Sequence, residues 1–77
     1  MTHRLTHAEA RDRVLAIATR MGHDDAIAGR PSRLVSVNAV TLCATVATRA
    51  ALSLRSAVIE RWSRDVADAY VTGRGDA

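Results

Sequence analysis

His3 and His7 stand at the i, i+4 interval that would set two imidazoles on one helical face for a metal ion. His3 precedes the predicted start of the first helix, and only Glu9 lies near enough to add a ligand. The spacing therefore predicts no metal site. His23-Asp24-Asp25 puts an imidazole beside two carboxylates, the ingredients of acid–base chemistry. Its place just after a helical segment fits a helix end better, with His favoured near the negative end of the dipole and Asp24 capping a new turn. Cys43 is the only thiol, which excludes an internal disulfide. It has no charged residue within five positions on either side to generate a thiolate, so it reads as a small buried hydrophobe. Arg74-Gly75-Asp76 spells an adhesion tripeptide, and chance accounts for so short a match. No residue is assigned to catalysis, to a cofactor or to a metal, and the chain is read as a non-enzyme.

All eleven basic residues are Arg, a usage that fits a GC-rich genome, and the formal net charge is +3. Between Ala26 and Ile59 there is no acid, while Arg30, Arg33, Arg49 and Arg55 are present. Arg30, Arg33 and Arg49 are the candidate contacts for an anion or for nucleic acid. A nucleic-acid binder would gather them on one face. On a helical projection Arg49, Arg55, Arg61 and Arg64 instead spread widely, with Glu60, Asp65 and Asp68 between the last of them, as on a solvated face.

The elements that must position these residues are helical. Thr6-His7-Ala8-Glu9 is a capping box. Behind it Ala10, Val14, Ile17, Ala18 and Met21 share one face at 3.6-residue spacing, widened by Leu15. Gly22 reads as the stop of this helix. His23 to Pro31 reads as a connector holding at most one turn from Asp24 to Gly29, long enough to let the first helix fold back on the second. From Ser32 to Thr72, more than half of the 77 residues, there is neither glycine nor proline. Leu34 to Ala39 alternates apolar with polar, which admits a short strand.

The long segment has two unlike halves. From Val35 to Ala47 it is apolar nearly all round, with a narrow polar stripe of Asn38, Thr41, Thr45, Thr48 and Arg49. That stripe either faces solvent or sets register between helices. Farther on, Leu52, Ile59, Trp62, Val66, Ala69 and Tyr70 form one apolar stripe, which Arg55 interrupts. The two stripes do not register, so the sequence predicts a break between Thr48 and Leu54, with helices over 35–49 and 53–71. An unbroken helix would be ~57 Å long and the first helix, at ~22 Å, could not cover it.

The expectation is one all-α domain of three helices over residues 1–77, with tails at 1–5 and 73–77. The core is small, with no Phe, one Trp and one Tyr, and oligomerisation is a usual support for such chains. A homo-oligomer is therefore expected, with Leu52, Ile59, Trp62, Val66 and Tyr70 as its protein interface. The function expected is non-enzymatic: a cytoplasmic interaction protein that binds itself and another protein, as an accessory regulator or phage-type inhibitor does. The alternative is a nucleic-acid-binding regulator using arginine contacts. A small membrane-associated factor ranks behind both, because Ser36, Asn38, Thr41 and Arg49 dilute the apolar run. The polar N-terminus carries no apolar stretch of a signal peptide. No cofactor is expected.

Overall fold

Thr6 opens the first helix as its sequence requires. In a computed structural model describing residues 5–75, its hydroxyl accepts from the Glu9 amide and the Glu9 carboxylate accepts from the Thr6 amide, both at 3.1 Å. Such a cap is worth about 1 kcal/mol. The helix it starts, α1 (His7–Ile27), does not stop at Gly22 but runs on through His23, Asp24 and Asp25. The stop is Gly29, in the left-handed conformation at φ 71°. The amide of Gly29 bonds to the carbonyl of Ala26, and that of Arg30 to the carbonyl of Asp25. This pair of bonds is a Schellman closure.

No strand is found among the described residues. Where alternation admitted one, a 3₁₀ turn (Arg33–Val35) is followed by a helix that begins later than its apolar run suggests, α2 (Ala39–Arg49). Asn38, read as the head of the polar stripe, is the cap: its side-chain oxygen accepts from the Thr41 amide at 2.8 Å. Thr41, Thr45, Thr48 and Arg49 are exposed, so the rest of the stripe faces solvent. Thr45 and Thr48 return their hydroxyls to the carbonyls of Thr41 and Ala44.

The expected break is present. Ala51 takes φ 57°, and its amide and that of Leu52 bond to the carbonyls of Thr48 and Ala47. A second Schellman closure thus ends α2, here with alanine in the position that glycine fills at the end of α1. The third helix, α3 (Ser56–Arg74), starts three residues later than predicted. Arg55 interrupts the apolar stripe because it lies before the helix, as its cap residue. Gly73 and Arg74, assigned to a tail by sequence, belong to α3. Residues 1–4 and 76–77 of the expected tails lie outside the described residues.

The first helix packs on α3 far more than on α2, contrary to the expected fold-back on the second helix. The two helices run in the same direction, since His7 meets Trp62, Arg11 pairs with Asp65, and Gly22 meets Tyr70. Glycine explains how close they come. A Cβ on Gly22 would lie 2.1 Å from the Tyr70 carbonyl oxygen, and one on Gly73 2.0 Å from that of Thr19. Both glycines let backbone touch backbone, so Gly22 is a packing residue rather than a helix stop.

Val14, Ala18 and Met21 of α1, Leu42, Cys43 and Val46 of α2, and Trp62, Val66 and Tyr70 of α3 fill one core. The apolar stripes of the second and third helices thus meet inside a single chain, and the radius of gyration is 12.3 Å. No helix among the described residues is long and apolar enough to cross a membrane.

Candidate functional site

The last turn of α1 carries the feature that sequence reasoning missed. Asp25 is the one charged residue buried among those described, at 2% exposure. An isolated carboxylate there would be costly. Its cost is met on every side. Arg30 Nε donates to Oδ1 at 3.0 Å, Arg33 Nε donates to Oδ2 at 2.9 Å, and the Tyr70 hydroxyl donates to Oδ2 at 2.5 Å. The Tyr70 oxygen in turn accepts from the Arg33 amide at 3.1 Å. Arg74 closes the corner by donating to the Arg30 carbonyl at 2.8 Å.

Local structure dictates this convergence. The Schellman closure at Gly29 turns the chain back so that Arg30 returns to the carboxylate five residues behind it. Ser32 caps the 3₁₀ turn by accepting from the Leu34 amide, which fixes Arg33 over the end of α3. Tyr70 reaches the same point from α3. The cluster therefore ties the connector to both long helices.

The electrostatics follow. The Arg33 hydrogen bond, aided by Tyr70 and Arg30, holds the Asp25 carboxyl well below its ordinary range, overcoming the opposite push of burial. The same bond raises Arg33 against its own burial. One carboxylate serves two guanidiniums, leaving the pair net positive. Each guanidinium has five N–H donors and reaches Asp25 through Nε, so donors remain for a second acceptor. The Arg30 and Arg33 side chains keep 57% and 33% of their surface in solvent.

The predicted interface residues lie elsewhere than on a free face. Trp62, Val66 and Tyr70 are core residues, and Leu52 and Ile59 pack against that core half-buried. The stripe was read correctly as apolar, but α1 and α2 of the same chain cover it. Arg30 and Arg33 come together on Asp25, while Arg49 ends α2 and takes no part in the cluster. Cys43 is buried in the core, and burial pushes its thiol up. His7 rests its ring 4.9 Å from that of Trp62, while His3 and Asp76 lie outside the described residues. The sequence signal for the cluster was the acid-free stretch that follows Asp25: two arginines just beyond a helix end, with Asp24 and Asp25 behind them.

Among the described residues, three large apolar side chains remain exposed: Ile27 at 73%, Val35 at 82% and Val40 at 41%. All three fall between the end of α1 and the first turn of α2. The fold defined by these elements is a closed three-helix all-α domain with an arginine-bearing connector. Compared with protein-family models, curated proteins and solved structures, the chain matches none of them.

Proposed function

We propose that this chain is a non-enzymatic, cytoplasmic interaction protein that binds another protein through the connector between α1 and α2. The observation that carries the reading is the distribution of exposed apolar side chains. The apolar stripe of α3 is spent in the chain's own core, whereas Ile27, Val35 and Val40 are left in water along one connecting segment. Single exposed apolar residues are ordinary on a protein surface. Three of them on one short segment, next to a rigid pair of arginines, are what supports a binding role. A regulator or inhibitor of this kind acts by occupying a partner's surface. Self-association through Trp62, Val66 and Tyr70 would require opening the core and is not part of the proposal.

The test places a photo-crosslinking amino acid at position 35 and, separately, at position 45, an exposed site on α2 away from the connector. Irradiation in the native cell, followed by mass spectrometry, should yield a protein adduct at 35 that is absent at 45. Equal capture at both positions, or none at 35, would overturn the reading.

A further inference from the structure

We infer that Arg30 and Arg33, aimed by Asp25, form a recognition site for carboxylates on an acidic, apolar segment of a partner protein. The inference rests on the connector being the binding surface and names the chemistry of what it binds.

The arginine pair is prepared for a second anion. In most exposed arginines the side chain is loose and must be ordered on binding. Here a buried carboxylate takes the Nε of each, one arginine per oxygen, and Tyr70 braces both the carboxylate and the Arg33 backbone. Asp25 thus acts as a positioning residue. A single carboxylate cannot satisfy the donors of two guanidiniums, and the planar fork of each suits an incoming carboxylate. Arg74 donates to the Arg30 carbonyl and so holds the backbone of that corner.

The neighbours select among anionic partners. Ile27 lies two residues beyond Asp25 and Val35 two beyond Arg33, and both are mostly exposed. A partner surface alternating acids with apolar residues would use both features. Nucleic-acid phosphates would use only the charge, and Arg61 and Arg64 do not extend a track, since they share α3 with Glu60, Asp65 and Asp68. A second copy docking with its two-fold axis at this corner would set the positive corner against itself. The acidic partner is the occupant whose charge complements the site.

The test titrates the isotopically labelled protein with a synthetic helical peptide bearing Glu on one face and Leu on the other, followed by amide NMR shifts. A peptide with Lys in place of Glu is the control. The acidic peptide should shift the amides of Ile27 through Val35, and binding should weaken at least severalfold as salt rises from about 0.05 to 0.5 M. Val35→Asp leaves the Asp25 cluster intact and should weaken binding about tenfold or more. Arg30→Lys keeps the charge but not the fork, and should weaken it by a smaller factor at an unchanged fold. Several results would overturn the inference: no shifts at these residues with millimolar acidic peptide, equal binding of the Lys peptide, or stronger perturbation of Arg30 and Arg33 by duplex DNA or anionic vesicles. A concentration-dependent dimer dispersed by Val35→Asp would also overturn it, by making a second copy the occupant. Capture of a basic or neutral protein at position 35 would retain the connector as a binding surface while refuting the carboxylate site.

Discussion

Gly22→Ala tests the central claim about packing, because two well-characterised effects oppose each other there. Alanine in a helix interior is favoured over glycine by about 1 kcal/mol. On propensity alone, the substitution inside a 21-residue helix should stabilise the protein. The structure reverses the sign. The new Cβ would sit 2.1 Å from the Tyr70 carbonyl oxygen and 3.0 Å from the Arg74 amide nitrogen, whereas ordinary contact begins at 3.4 Å. Both obstacles are backbone, so no side chain can swing aside. The two helices must part by about an ångström, a gap that already forfeits a quarter to a half of each affected dispersion contact. Overpacking of this kind costs about 1–3 kcal/mol where side chains can yield, and more where they cannot. We expect a net loss of about 2 kcal/mol or more, against a total of roughly 4–12 kcal/mol for a chain of this length. That lowers Tm by about 8–16 °C. Thermal unfolding followed by circular dichroism reads the effect directly. Gly29→Ala is the matched control: its φ is 71° but nothing lies within 4 Å, so it should cost only the backbone term of about 1–2 kcal/mol. Gly73→Ala meets the Thr19 carbonyl in the same way, and the double variant should cost less than the two singles together, since the helices part only once. A Gly22→Ala protein that melts at or above wild type would refute the close approach of α1 and α3.

The other predictions concern the cluster, the turn and the thiol. The Asp25 carboxyl is held below its ordinary value of 3.8, so its contribution to stability is fully present above that value and lost as pH falls towards the folded-state value. Asp25→Asn should lower stability at pH 7 by about 2 kcal/mol, below the usual cost of breaking a buried pair because both arginines reach solvent. The variant should also flatten the acid limb below about pH 4 in denaturant titrations; an unchanged limb would refute the role of Asp25. Ala51→Gly should stabilise by about 1 kcal/mol, because φ 57° strains alanine and not glycine. A lower denaturation midpoint for that variant would count against the left-handed turn. Cys43 should resist a thiol reagent in the folded protein and react at the rate of global opening, so destabilising variants should label faster in proportion. Prompt labelling of the native protein would contradict its burial.

Much of the architecture was legible because it is written locally. The capping box at Thr6, the apolar face through Val14 and Met21, and the mismatch between the stripes around Ala51 depend only on neighbours along the chain. They specify an all-α chain with a broken second half without any knowledge of what packs where. Even Asn38 and Gly29 carried their signals, as a cap residue and a left-handed stop, although a stronger apolar run and an earlier glycine drew the helix boundaries elsewhere.

What the tertiary structure alone decided depends on residues distant in sequence. Gly22 reads as a terminator by composition, yet it becomes a contact point because Tyr70 and Arg74 press against it from α3. Asp25 reads as part of a polar connector, yet it is buried because Arg30, Arg33 and Tyr70 converge on its carboxylate, and Tyr70 is 45 residues away. The stripe of Trp62, Val66 and Tyr70 has the pattern of an interface in any helical sequence. Periodicity shows that a face must be covered, and not by which chain. The same chain covers it here, because glycines on α1 and α3 let the two backbones meet closely enough to shut the core.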